Sequence, residues 1–209
     1  MPGWELEEAA YGAGYAAVCG VDEAGAGPLA GPVYAAAVIL PRGLTLPYLN
    51  DSKQVTEKRR EALYEQIQKQ ALAWAVASVG AEEIDELDIL NARIRAMQMA
   101  IDGLGTPADY ALIDGNRDHG SRCAIVTAHE TVVKGDGRSV SVAAASILAK
   151  VSRDRFMTAA AAQYPRYGFD RHKGYGTQAH YAALEAHGPC PLHRRSFLKK
   201  WEAGRGEQG

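Results

Sequence analysis

Cysteine is scarce in this 209-residue chain, and the three that occur, Cys19, Cys123 and Cys190, stand at unrelated spacings. An odd, scattered set builds neither a disulfide framework nor a zinc site, so reduced thiols are expected. Long apolar runs are missing as well: none approaches the roughly 20 residues of a membrane span. The opening stretch, Met1-Pro2-Gly3-Trp4-Glu5-Leu6-Glu7-Glu8, is acidic where a secretory signal is basic. A cytoplasmic protein with no membrane association is the expectation. Internal repeats and a clear interdomain linker are also absent. What is present is 47% hydrophobic content, enough to close a sizeable core as one unit with at most a small appendage. The net charge of −2 hides an asymmetry: from Lys134 onward 13 Lys/Arg face 6 Asp/Glu, while residues 1–133 hold 10 against 19. A polyanion would meet the C-terminal third, although ordinary solvated surface accounts for the same count.

Apolar runs at residues 15–19 and 33–40 read as buried strands, as do 72–79 and 110–113. Residues 124–126 and 131–133 suggest further extended segments. Thr56 is a candidate N-cap for a helix through about residue 71, with Leu63 and Ile67 on one face. Ile94, Met97, Ile101 and Leu104 recur at three- and four-residue steps, so a second amphipathic helix should stop near residues 103–107. The alanine-rich stretch 140–163 reads as a long helix stopped before Pro165, and another runs from Thr177 to His187, closed by Gly188-Pro189. Strands first and helices alternating afterwards imply an α/β domain with a mixed sheet, the helices from about Thr177 onward forming a small cap.

The stretch Gly20-Val21-Asp22-Glu23-Ala24-Gly25-Ala26-Gly27-Pro28-Leu29-Ala30-Gly31-Pro32 places two adjacent carboxylates where an apolar strand gives way to a glycine-rich turn. Two unit charges about 4 Å apart repel by roughly 4 kcal/mol at an effective dielectric near 20. A divalent cation would remove that penalty. The glycines loosely suggest a dinucleotide fingerprint, but Pro28 and Pro32 intervene and a strand follows. That fingerprint needs a helix whose first amides meet the pyrophosphate. Asp114 repeats the local pattern of Asp22: a short apolar strand, an acid, then glycine. On neighbouring strands, about 4.8 Å apart, the two acids could share one ion. Asp136 follows Val132-Val133-Lys134-Gly135 where a strand turns into the long helix, a place that also suits a capping or turn residue. All-oxygen ligands with no paired His or Cys point to magnesium or manganese. Two ions about 3.5 to 4 Å apart would let one activate water while the other stabilises the leaving oxygen of a phosphodiester.

Taken together, Gly20-Val21-Asp22-Glu23-Ala24-Gly25, Gly27-Pro28-Leu29-Ala30-Gly31-Pro32, Asp51-Ser52-Lys53, Asp114-Gly115-Asn116, Val133-Lys134-Gly135-Asp136, Ala143-Ala144-Ala145-Ser146-Ile147-Leu148-Ala149-Lys150-Val151, His172-Lys173-Gly174-Tyr175-Gly176 and His193-Arg194-Arg195-Ser196-Phe197 closely resemble bacterial ribonuclease HII, the type 2 ribonuclease H. The match keeps the family's order from about residue 15 to 200. It implies a ribonuclease H-like fold: a mixed five-stranded sheet flanked by helices in residues 1–165, with a C-terminal helical and basic segment, 166–209, packed on it as a cap. The implied activity is endonucleolytic hydrolysis of the RNA strand of RNA/DNA hybrids, with cutting 5′ to ribonucleotides embedded in duplex DNA. A two-metal mechanism with Mg2+ or Mn2+, nucleic acid as the partner and a monomeric enzyme complete that expectation. Residue by residue, Asp22, Glu23, Asp114 and Asp136 fall on the four catalytic, metal-holding carboxylates. Tyr175 falls on the tyrosine that packs against the deoxyribose following the ribonucleotide; an aromatic face crowds a 2′-hydroxyl but accepts a deoxy sugar. Lys53 and Lys134 fall near the substrate phosphates, Ser146 and Lys150 on a helix facing the nucleic acid, and Arg194 and Arg195 in the basic C-terminal segment. His172 is expected to pack in its loop or touch phosphate, since nothing pairs with it at metal-ligand spacing.

One position departs from the resemblance. The family's glycine-arginine-glycine element, whose amides and arginine grip the ribonucleotide's 2′-hydroxyl and neighbouring phosphate, reads here Gly25-Ala26-Gly27. Both glycines keep the close backbone approach, but the guanidinium is gone. One charge-assisted phosphate contact is worth on the order of 1.5 to 3 kcal/mol, so binding or turnover lowered roughly 10- to 100-fold is expected. The alternative is a catalytically weak hybrid-binding protein on the same scaffold. Four retained acids argue against it, since a binder has little reason to concentrate negative charge opposite phosphate.

Overall fold

The computed structural model describes residues 2–50, 52 and 55–206. Strands Val18–Ala24 (β1), Val33–Ile39 (β2), Ala73–Val79 (β3), Tyr110–Asp114 (β4) and His129–Val132 (β5) form one sheet in the order β3-β2-β1-β4-β5. The sheet is mixed, as expected: β1–β2 and β2–β3 are antiparallel, whereas β1–β4 and β4–β5 are parallel. Side chains alternate between its faces along each strand. In β2, Val33, Ala35, Ala37 and Ile39 enter one core and Ala36 and Val38 the other. The first core is closed by helix Ile89–Asp102 (α4), whose Ile94, Met97 and Ile101 are buried in it. The second is closed by helix Val140–Gln163 (α5), with Leu63 and Ile67 of helix Glu57–Gln70 (α2) packed beside it.

The long helix lies close to the sheet because both sides of the contact are small. Ala143, Ala144 and Ala145 are wholly buried. Gly20 of β1 faces the start of α5, where an added Cβ would lie 2.1 Å from the Ser141 carbonyl carbon and 2.2 Å from the Val142 nitrogen. Ser139 caps the helix, its Oγ accepting from the Val142 amide at 3.1 Å. A segment far earlier in sequence completes that end. Helix Glu5–Gly12 (α1) carries the buried Glu7, whose Oε1 accepts from Ser139 Oγ at 2.5 Å and the Ser141 amide at 2.9 Å. The Gly3 backbone also pairs with Arg138 and Val140.

Several expectations need correction. The first strand begins at Val18 and runs through Ala24, so Asp22 and Glu23 lie inside β1 and not beyond its end. Residues 124–126 form no strand: Ala124 makes an isolated bridge to His119, the Ile125 amide donates to the Asp118 carbonyl, and Val126 is exposed. Thr56 precedes α2 in an extended conformation without a side-chain capping bond. The short helices α1 and Ala81–Leu87 (α3) were not expected, whereas helix Arg195–Gly206 (α8) falls in the segment expected to be helical. The helix expected from Thr177 is Gln178–His187 (α7), capped by Thr177 Oγ1 and ended at Gly188 with φ of 67°. Helix Phe169–His172 (α6) precedes it, and Phe169 and Tyr167 bury themselves against Ala30 and Met157, tying the C-terminal region to α5.

Candidate active site

Register brings the acids together. The parallel pairing of β1 with β4 sets Val21 beside Ile113, so Asp22 and Asp114 are the next residues on adjacent strands. Alternation sends Asp22 toward α5 and Glu23 toward α4. There the Glu23 carboxylate meets Arg93 of α4, Oε1 to Nη2 2.5 Å. Even so, one oxygen from each of Asp22, Glu23 and Asp114 lies within 4.8 Å of the other two. Asp22 is buried, and its carboxyl is held well above the usual carboxylate range, first by burial and then by the charges of Glu23 and Asp114. Hydrogen bonds from Ser146 and from the Glu23 amide, the latter 2.7 Å to Asp22 Oδ1, pull the other way.

The Asp114 carboxylate is oriented by the next turn in sequence. Chain leaving β5 passes Lys134, in the left-handed region at φ 55°, and enters the 3-10 turn Gly135–Gly137. The Gly135 amide donates to Asp114 Oδ1 at 2.7 Å. Asp136 is buried on this turn, next in sequence to the Gly135 that binds Asp114, and stands outside the 4.8 Å group. The three grouped carboxylates are all-oxygen donors without His or Cys, and their mutual repulsion is relieved by a divalent cation. They fit magnesium or manganese, Glu23 being shared with Arg93.

A cleft of about 400 Å³ opens over the acids. Its walls include Gly25, Ala26 and Gly27, together with Ser52, Ser146 and Lys150 and the half-exposed Tyr175, whose ring lies 4.0 Å from where a Cβ on Gly27 would stand. Ser146 Oγ is hydrogen-bonded to Ser52 Oγ at 2.9 Å, and Lys150 pairs with Asp154 one turn along α5 at 2.7 Å. Gly25 requires glycine on two counts: its φ is +93°, and a Cβ would lie 2.0 Å from Arg153 Nε. Lys134 is exposed and does not line the cleft, and Lys53 lies outside the described residues. Arg195 is exposed, its amide donating to Asp85 and its guanidinium to Glu202.

Arg194 is the largest departure from expectation. It is wholly buried, and its Nε, Nη1 and Nη2 donate to the carbonyls of Gly31, Ala26 and Gly25 at 2.9, 2.9 and 2.6 Å. Its guanidinium therefore faces the interior behind the glycine turn and not the solvent. Arg153 and Arg93 were missed by sequence reasoning. A charged residue on the buried, apolar face of α5, between Val151 and Met157, was the available signal for Arg153. Nothing local marked Arg93. His172 packs within its loop, Nε2 against the Tyr167 carbonyl and Nδ1 accepting from the Gly174 amide.

Comparison with known proteins agrees with this arrangement. A sequence profile of the family described as Ribonuclease HII matches residues 19–200. The ribonuclease HII of Dechloromonas aromatica is 59% identical over 181 residues, covering 86% of this chain and 90% of that protein. Among solved structures, the ribonuclease H2 from Pyrococcus horikoshii is similar with a TM-score of 0.72 at 25% identity, covering 87% of this chain and 93% of that one. The RNase HII of Archaeoglobus fulgidus, solved in complex with PCNA, follows at 0.71 and 25%, covering 86% and 94%. A match of that length and identity leads to one conclusion: the chain belongs to the ribonuclease HII family and is a ribonuclease H.

Proposed function

We propose that the cleft hydrolyses the RNA strand of RNA/DNA hybrids and cuts 5′ to single ribonucleotides embedded in duplex DNA, leaving 3′-hydroxyl and 5′-phosphate ends. The observation that carries this reading is the shared cleft: three carboxylates within 4.8 Å stand in one cavity with a glycine turn and a half-exposed tyrosine. Asp22, Glu23 and Asp114 hold divalent metal, magnesium or manganese, with Asp136 joining from its adjacent turn to complete a two-ion site. When bound there, the metal would supply an activated water and charge stabilisation for the leaving oxygen of the phosphodiester. The remaining work belongs to the chain. Gly25 and Gly27 let the substrate backbone approach closely, and the amides after Gly25 and Ala26 offer donors to a 2′-hydroxyl or phosphate oxygen. Tyr175 accepts a deoxyribose on its face and disfavours a ribose, which marks the RNA–DNA junction. Lys53, Lys134, Ser146 and Lys150 orient the flanking phosphates. Ala26 leaves the turn without a side-chain cation, so turnover is lower than an arginine there would give.

The test is cleavage of a duplex DNA containing one ribonucleotide, with Mg2+, Mn2+ or chelator, beside a continuous RNA/DNA hybrid. Metal-dependent cutting of both, lost in Asp114→Asn with the fold retained, supports the proposal. Cleavage that survives in chelator, or in the variant to within about threefold, roughly 0.65 kcal/mol in barrier, refutes it.

A further inference from the structure

Two arginines in the interior behind the cleft have no part in the chemistry just described. Arg153 and Arg194 are about 1% and 0% exposed. Neither makes a salt bridge among the described residues. A buried guanidinium ordinarily sits opposite a carboxylate, because desolvating an unpaired cation is costly. Burial, and next the neighbouring charge of Arg153, lowers the pKa of Arg194 to about 9. A lone structural cation in an otherwise apolar region would gain stability by replacement with a hydrophobe. What these two do instead is collect backbone carbonyls, and the choice of carbonyls is not random.

Arg194 takes the carbonyls of Gly25, Ala26 and Gly31. Arg153 takes those of Ala30 and Pro32, at 3.1 Å each, and that of Lys173 at 3.0 Å. Five of the six acceptors lie on residues 25–32, the glycine turn and its continuation, and the sixth on Lys173, two residues before Tyr175; Gly25, Ala26 and Tyr175 themselves line the cleft. Peptide planarity gives the consequence. In a trans peptide the N–H points opposite to the preceding C=O, and no peptide here is cis. With the carbonyls of Gly25 and Ala26 drawn inward by Arg194, the amides of Ala26 and Gly27 are turned away from it, toward the cleft those residues line. Arg153 at the same time bridges the far end of that turn to Lys173, with its guanidinium carbon 5.8 Å from the centre of the Tyr175 ring. Leu29 and Ala30 amides both donate to the Gly174 carbonyl, so the two walls are already stitched together at the point Arg153 clamps.

We infer that Arg153 and Arg194 are positioning residues for ribonucleotide recognition, setting the spacing between the amides of the glycine turn and the ring of Tyr175. The inference rests on the proposed role of that cleft at the RNA–DNA junction. It also accounts for arginine at both places: three acceptors spread around a planar fork of five donors suit a guanidinium, whereas an ammonium cannot reach all three in that geometry. Neither residue lines the cleft.

The test uses Arg153→Lys and Arg194→Lys, which keep the charge and lose the fork. For each, kcat/KM is measured on a duplex with one embedded ribonucleotide and on a continuous hybrid, from the same preparation. The ratio of the two is independent of the folded fraction, so a partly unfolded variant still reports. We expect both rates to fall, but the embedded-ribonucleotide rate to fall at least about fivefold further, mainly through KM, and Tyr175→Ala combined with Arg153→Lys to lower the ratio no more than Tyr175→Ala alone. Equal losses on both substrates overturn the inference and leave the arginines as general supports. A parent protein that cuts the hybrid but not the embedded ribonucleotide instead overturns the proposed function, and the inference with it.

Discussion

Asp22→Asn is the perturbation whose outcome follows most directly from the geometry, because it should stabilise the protein while disabling it. Carboxylate oxygens of Asp22, Glu23 and Asp114 lie within 4.8 Å of one another. At that separation each ionised pair opposes folding by about 3.5 kcal/mol at an effective dielectric near 20. Asp22 is buried and also takes part in two such pairs, and burial first and the two charges next hold its carboxyl well above the ordinary range. Partial protonation and the solvent reaching Glu23 and Asp114 relieve much of this, leaving about 2 kcal/mol as the net gain from the amide in metal-free protein. Asparagine keeps the acceptor for the Glu23 amide that Asp22 Oδ1 provides at 2.7 Å. For 209 residues, 2 kcal/mol corresponds to a rise of about 4 to 5 °C in Tm. Thermal melts in chelator at pH 7.5, repeated over a MnCl2 titration, read both halves of the argument. The parent should gain stability with added metal, and the variant should start higher and gain less. Cleavage should drop at least about 100-fold, near 3 kcal/mol in barrier. A variant that melts at or below the parent in chelator would refute the electrostatic reasoning, whatever its activity.

Ala26→Arg should raise cleavage of ribonucleotide-containing duplexes about 10-fold, the scale of one charge-assisted phosphate contact, and steepen the salt dependence; an unchanged or slower variant shows that alanine does not limit the enzyme. Gly20→Ala forces a Cβ to within 2.1 Å of the α5 backbone, so a loss of at least about 3 kcal/mol, roughly 7 °C in Tm, is expected. An unaltered melt would mean that the sheet and α5 are not in contact there. His193 is buried against His180, Nε2 to Nε2 3.0 Å, and its pKa is lowered to about 4 by burial first and by His180 next. Its folded value lies below the unfolded one, so unfolding takes up a proton between the two values and stability falls as the medium is acidified through that window. From pH 7 to pH 5 the loss from this group is about 2 kcal/mol, near 4 °C in Tm. His193→Gln should flatten that fall, and an equally steep fall in the variant rules out His193 as its source.

The parts of the fold that were legible in the sequence are those whose signals are local. Residues 140–163 read as a helix because an alanine-rich run stops before Pro165, and α5 spans Val140–Gln163. The acids of β1 and β4 were legible because each follows an apolar run and precedes a glycine turn, a pattern that survives without knowledge of the pairing. Helices α1 and α3 were not legible: both are short and glutamate-rich, and α1 is fixed by Glu7 reaching Ser139, 132 residues away. Residues 124–126 misread as a strand because three apolar residues in a row imply burial, whereas only Ile125 is buried. Arg194 illustrates the general limit. An arginine in a basic stretch announces its charge but not its direction, and the carbonyls that capture it come from the opposite end of the chain.

That last connection has a consequence in time. Ala26 and Gly25 are joined to Arg194 across 168 and 169 residues of sequence. During synthesis the N-terminal part emerges first, so the segment bearing Asp22 and Glu23 is present long before residue 194 can anchor its glycine turn. A nascent chain that has not yet exposed residue 194 already carries every acid of the cleft, but the turn beside them has open carbonyls on its inner side. Ordering that turn also requires closing a loop of 168 residues or more. On the proposed role of that turn, a polypeptide stopped before residue 194 would recognise substrate poorly even with all four proposed metal-binding acids present.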